Sequence, residues 1–211
     1  MRGPSVLENA HVRLEPLGKE HITALTAAAT EDRSTYAIAP VPRDRDEMEQ
    51  YVVAATSDSH VYPFATFDKL TGKIVGSVRL MNLEWWSWPI GPIEVEDEPR
   101  VRTNGDPPDA CEIGAAWLAK SAQRTHVNTS ACLLLMGHAF DLWRVHRLVL
   151  KTDVRNERSR NAITRLGAKF EGELRQHLPA ADGIVRDTAM FSIIRAEWPD
   201  VRARLEKLVA A

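Results

Sequence analysis

Glu112-Ile113-Gly114-Ala115-Ala116-Trp117-Leu118, followed by Gln123-Arg124-Thr125-His126-Val127-Asn128-Thr129, is the stretch on which the fold turns. The first group lies in a strand, Cys111–Leu118. The second leads into an amphipathic helix capped at Asn128-Thr129 and running through Trp143, with Leu133, Met136, Ala139 and Phe140 inward. A strand, a loop and a helix N-terminus in that order gather unpaired amides and the positive end of a helix dipole, which suits a diphosphate. Arg124 adds a cation. Every α/β protein has such units, so on spacing alone an ordinary capped helix competes with a phosphate site.

Outward from this stretch, His146–Asp153 reads as a further strand, and Asn156 caps a short helix that ends at Gly167, the left-handed C-terminal position. Asn156 and Ser159 share one helical turn; they are either a plain N-cap with a small polar neighbour or part of the same crevice as the phosphate loop. Phe170–Gln176 and Val185–Ile194 alternate as two closing strands around Asp182-Gly183, before a terminal helix from about Ala196 to Val209. Upstream, His11–Pro16 reads as an opening strand. Two helices follow, from Lys19 to Thr30 and from near Asp44, and then a hairpin of Val61–Asp68 and Ile74–Asn82. Strands alternating with helices, closed by an antiparallel pair, predict a mixed α/β sheet flanked by helices.

Residues 84–110 break the pattern. Trp85, Trp86 and Trp88 precede repeated prolines and an acidic run, Glu94 to Glu98, so this is a long loop inserted in a single domain of residues 1–211. It is either a surface insertion or a wall of the acceptor pocket, since clustered tryptophans are costly to leave in water.

Composition bounds the function. The 211 residues are 44% hydrophobic and 27% charged with a net charge of -2, and no long single-sign block suggests a nucleic-acid partner. No apolar run nears the roughly 18 residues of a membrane span, and the amino terminus has no signal-like stretch, so a soluble cytoplasmic protein with no membrane partner is expected. Cys111 and Cys132 stand apart from any metal-ligand spacing and read as reduced structural thiols; no metal site is expected.

Taken together, the strand, the Gln123–Thr129 loop, the long helix, the Asp153…Asn156…Ser159 segment and Leu166-Gly167-Ala168-Lys169-Phe170-Glu171-Gly172-Glu173-Leu174-Arg175 resemble the GNAT superfamily. Within it the chain is similar to the ribosomal-protein N-terminal acetyltransferases, over roughly residues 8–195. The resemblance implies a central sheet splayed between its fourth and fifth strands, here Cys111–Leu118 and His146–Asp153, with acetyl-CoA as co-substrate in the gap. Ala116, Trp117 and Leu118 would bind the pantetheine through their backbone. Arg124, Thr125, His126, Val127, Asn128 and Thr129 would wrap the pyrophosphate, Asn156 would hold the pantetheine end, and Ser159 would sit by the thioester sulfur. The family usually has Gly where this chain has His126, so the imidazole either tilts the loop or clashes with the phosphates, or else folds outward or reaches a phosphate itself.

Such enzymes acylate an amine directly. An amine with a pKa near 10 is largely protonated at neutral pH, so a proton acceptor is required. Glu112 is the expected general base and Ser159 the proton donor to the departing thiolate. Glu112 also reads as a solvated strand-end carboxylate, and His11, His138, His146 and His177 are further candidate bases. Arg175 and Asp187 either form an ion pair or line the acceptor side. The expected partner is an amine-bearing acceptor, a peptide N-terminus or a small molecule. Homodimers are common in the resembling family. Rival readings are a non-catalytic module that binds a CoA ester or an amine, and transfer of succinyl or a longer acyl group.

Overall fold

The computed structural model describes residues 5–36, 38–87 and 105–210. Trp88, the prolines after it and the Glu94–Glu98 run lie outside the described residues. Eight strands form one mixed sheet: β1 (Leu7–Glu8), β2 (Val12–Pro16), β3 (Tyr62–Asp68), β4 (Lys73–Glu84), β5 (Ala110–Leu118), β6 (Arg147–Asp153), β7 (Lys169–Pro179) and β8 (Val185–Ile194). Their spatial order is β1-β2-β3-β4-β5-β6-β8-β7, antiparallel throughout except for the parallel β5–β6 pair. A parallel neighbour requires a crossover, and α3 (Val127–Gly137) supplies it.

Helices cover both faces. On one side α1 (Ile22–Thr30) and α2 (Arg45–Ser57) enclose Leu25, Met48, Val52, Ala65 and Trp117. On the other, α3, α4 (Glu157–Leu166) and α5 (Trp198–Ala210) close a larger core around Leu80, Ile113, Leu135, Leu148 and Ile193. Leu135 is completely buried, so Leu135→Ala costs about 2–5 kcal/mol, which marks α3 as a structural pillar of the site beside it.

Local chemistry sets the helix ends. Asp44 accepts the Glu47 N–H at 2.9 Å to start α2, and Glu47 reaches back to the Arg43 N–H at 2.8 Å. Asn156 accepts the Ser159 N–H at 3.1 Å to start α4, and Gly167 ends it at φ +102°. The expected Asn128-Thr129 cap is corrected by the structure. Helix α3 begins at Val127, because the Thr125 hydroxyl accepts the Val127 N–H at 3.2 Å while donating to Ala122 C=O at 2.7 Å. That hydroxyl closes the loop one residue early and leaves Asn128 and Thr129 within the first turn. The same helix passes into a π-helical turn at His138–Leu142 before Trp143.

Candidate active site

The site begins where β5 and β6 part. Their ladder contains Ala110↔Arg147, Cys111↔Leu148 and Glu112↔Val149, and β5 from Ile113 onward has no registered partner in β6. On its other edge β5 bulges: Ser77 pairs with Trp117 but Arg79 with Gly114, so one extra β5 residue lies between them, and Ala115 takes φ +49°. Ala115 and Ala116 are exposed at this bulge. The end of β5 therefore offers backbone groups that no neighbouring strand uses.

A cavity of about 520 Å³ opens at this fork. Its walls are Ala116, Trp117 and Leu118 of β5, Arg124, Thr125 and Asn128 at the α3 end, and Asn156 and Ser159 at the start of α4. These eight expected residues are brought together from three separate parts of the chain. Ser130 N–H to His126 C=O, at 2.9 Å, is the helical bond that follows the Asn128 and Thr129 amides, so those amides precede the helix's own ladder.

Three expected binding residues do not line the cavity. Val127 is fully buried in the core. Thr129 is buried and accepts from the Arg165 guanidinium at 3.5 Å, so it holds a cavity-lining cation in place. His126 turns away: Nε2 lies 3.5 Å from Asp68 Oδ1 and the ring packs 5.1 Å from that of His11. With φ at -64°, position 126 has no conformational need for Gly, and the imidazole stands clear of the loop's cavity side.

Several cavity residues escaped the sequence reading. Arg158 and Arg165 join Arg124 in the lining, which gives the cavity three guanidinium groups. Arg158 donates to Thr35 C=O at 3.0 Å and to Gln123 Oε1 at 2.7 Å, and Gln123 donates to Thr35 Oγ1 and Leu118 C=O, both at 3.0 Å. This network ties the segment between α1 and α2 to the cavity. Tyr36, also in the lining, stands edge-on to Trp117, and burial pushes its phenol up to about 12, so it stays protonated at neutral pH.

Glu112 lies where the two strands separate, outside the cavity lining. Its expected alternative, a solvated carboxylate, is corrected: it is 5% exposed. Lys151 Nζ approaches Oε2 at 2.9 Å across the fork, and Asn82 Nδ2 donates to the same oxygen at 2.6 Å. A second bulge creates the latter contact, since β4 has one more residue than β5 between Met81↔Glu112 and Glu84↔Ala110, and Asn82 takes φ +48° there. Oε1 instead lies over Gly114, where an added Cβ would come within 2.8 Å of it and of Met81 Sδ. One oxygen is thus anchored and the other is directed along β5 toward the bulge.

The remaining candidates lie elsewhere. Trp85 donates to Asp106 C=O at 3.0 Å and Trp86 stacks on His146, at the opposite end of β5 from Ala116–Leu118. His138 packs edge-on to Trp143, burial lowering its pKa, and His177 lies on β7. Asp187 accepts the Gln176 N–H at 2.7 Å and forms no ion pair with Arg175. Both cysteines are buried thiols; burial raises Cys111 and pushes Cys132 up to about 12, so neither is a ready nucleophile.

This helix-flanked mixed sheet superposes on solved acetyltransferases. A GCN5-related N-acetyltransferase from Brucella melitensis superposes with a TM-score of 0.80 at 29% identity, covering 99% of this chain and 86% of that one. Residues 11–169 match the acetyltransferase (GNAT) domain, and the chain belongs to that family. Among curated relatives, Bacillus subtilis YdaF, named provisionally as a ribosomal N-acetyltransferase, is 33% identical over 87 residues. That match covers 41% of this chain and 46% of YdaF, less than half its length. The fold recurs in Mycobacterium smegmatis RimJ, solved in complex with CoA-disulfide, with a TM-score of 0.71 at 20% identity over 93% of this chain and 88% of that one.

Proposed function

We propose that the protein is an acetyl-CoA-dependent N-acetyltransferase that moves the acetyl group directly to a primary amine of a small molecule or a peptide N-terminus. The observation that carries this reading is the convergence, in a GNAT chain, of a strand end with one unpaired edge, a helix N-terminus and three arginines on one cavity. The donor set fits the ligand. The α3 first turn with Arg124 and Arg165 suits a pyrophosphate, and the unpaired edge of Ala116–Leu118 suits the amides of a pantetheine.

Acetyl-CoA supplies the thioester, and the chain's residues orient it and manage protons. Glu112 Oε1 takes the proton of the attacking amine, directly or through water, while Lys151 and Asn82 keep the other carboxylate oxygen fixed. The C–N bond forms as the C–S bond breaks, and the Ser159 hydroxyl gives a proton to the departing thiolate and regains one, through water, from the protonated Glu112. Ribosomal proteins are one acceptor class to include, since YdaF is named, provisionally, a ribosomal N-acetyltransferase.

Calorimetry with CoA and with pantetheine tests the cavity assignment. CoA binds far more tightly if the α3 loop holds the pyrophosphate, and His126→Gly leaves that affinity intact. Equal affinity for the two ligands removes the loop from the site.

A further inference from the structure

Arg79 stands apart from the protein's other central cations. It lies on β4, pairs with Gly114 and is half-buried. Its guanidinium lies 4.4 Å from the centre of the Tyr51 ring, and Tyr51 is itself fixed by its hydroxyl's bond to Ser77 at 3.0 Å. The Arg79 Nε is enclosed without a hydrogen-bond partner, and among the described residues no carboxylate lies within ion-pair distance. Enclosing part of a guanidinium without a counter-charge or hydrogen-bond partner carries a desolvation cost, while its remaining nitrogens stay open to the surface. An aromatic face offsets only part of that expense.

Its position relative to Glu112 gives the cation a use. Ser77, Arg79 and Met81 alternate onto the face that carries α2, because Tyr51 of α2 touches both Ser77 and Arg79. Met81 Sδ and Glu112 Oε1 both lie over Gly114, so Glu112 shares this face. Since Glu112 pairs with Met81, Arg79 is its diagonal cross-strand neighbour, with Cα atoms roughly 7–8 Å apart. Gly114, opposite Arg79, contributes no side chain to the space between them. Among the described residues, Glu112 and Lys151 on this face pair with each other at 2.9 Å and leave Arg79 without an ion-pair partner.

We propose that Arg79 forms an anion subsite on the acceptor side, binding a carboxylate carried within a few bonds of the amine to be acylated. The inference rests on the acyl-transfer reading, in which Glu112 receives that amine's proton. An amino acid's own carboxylate and an acidic side chain near a peptide N-terminus present the same chemistry. Both place an anion a few ångströms from the nucleophile, where a guanidinium fork donates two parallel hydrogen bonds to it.

The test uses matched acceptors: an amino acid against its amide, and a short peptide with Asp at its second position against the same peptide with Asn. Thiol release from acetyl-CoA gives kcat/KM for each. The wild-type protein favours the carboxylate member of at least one pair by about 10–100-fold, the range for a hydrogen-bonded charge. The pair that shows the preference identifies the source of the carboxylate. Arg79→Met and Arg79→Gln bring that ratio close to one, with CoA calorimetry reporting that each variant is folded. Equal efficiency within both wild-type pairs, or a preference that survives both substitutions, overturns the subsite alone. Thiol release from no acceptor at all overturns the acyl-transfer reading and the subsite with it.

Discussion

Replacing Lys151 with Met probes the ion pair at the fork. The substitution keeps the aliphatic stem and removes the ammonium that sits 2.9 Å from Glu112 Oε2. The Glu112 and Lys151 side chains are only 7% and 16% exposed, so water replaces little of the lost contact at Oε2, which keeps Asn82 as its remaining partner. Leaving a buried charge unpaired costs about 3–5 kcal/mol. For a domain of this size each kcal/mol lowers the unfolding midpoint by about 2–4 °C, so a drop of about 6–20 °C is expected. Glu112→Gln in the same protein removes the stranded charge while retaining an acceptor for Asn82, so the double variant regains most of the loss. Urea and thermal unfolding of the four proteins at neutral pH complete the cycle. A single-variant loss under about 1 kcal/mol, or losses that simply add, would show that solvent screens the pair and that Lys151 does not hold Glu112.

Gly114→Ala places a methyl group 2.8 Å from both Glu112 Oε1 and Met81 Sδ, the flexible ends of their side chains. They can move aside, so stability falls by only about 1 kcal/mol, but kcat falls at least tenfold because Oε1 is displaced; parallel unfolding and rate measurements separate the two effects. For Asp153, the Arg155 guanidinium beside it holds the carboxyl below its ordinary 3.8. A depressed folded value gives stability that is complete above the unfolded value and lost as pH falls through the folded one. The midpoint gap between wild type and Asp153→Asn is therefore widest at neutral pH and closes below about pH 4, and a gap independent of pH would refute the linkage.

The fold was legible where periodicity and punctuation carried it. The Asn156 cap, the left-handed Gly167, the Val185–Ile194 strand and the α2 start at Asp44 appear as the residues suggest, because each depends on neighbours within one turn or strand. That β5, α3 and α4 wall one crevice came from the resemblance to the GNAT superfamily, since local spacing left an ordinary capped helix open. The surroundings of Glu112 were not, since Lys151 and Asn82 come from strands on either side and only the tertiary register brings them together. Left-handed backbone at Asn82, Ala115 and Arg124 aims these groups without the glycine that usually signals such a turn. The Arg158 bridge to Thr35 spans 123 positions, far beyond any local pattern. The direction of the His126 ring likewise depends on Asp68, at the end of β3.

The account's central claim is tested most directly by following free thiol and acetylated product as acetyl-CoA is mixed with a library of amines and N-terminal peptides, using wild type and Glu112→Gln. The account predicts equal amounts of CoA and N-acetyl product from at least one acceptor. Glu112→Gln lowers kcat by about 10²–10⁴-fold, the range for general acid–base catalysis, while CoA binding persists. Tight CoA binding with no product from any amine would contradict the enzymatic reading, and wild-type kcat in Glu112→Gln would remove Glu112 as the base.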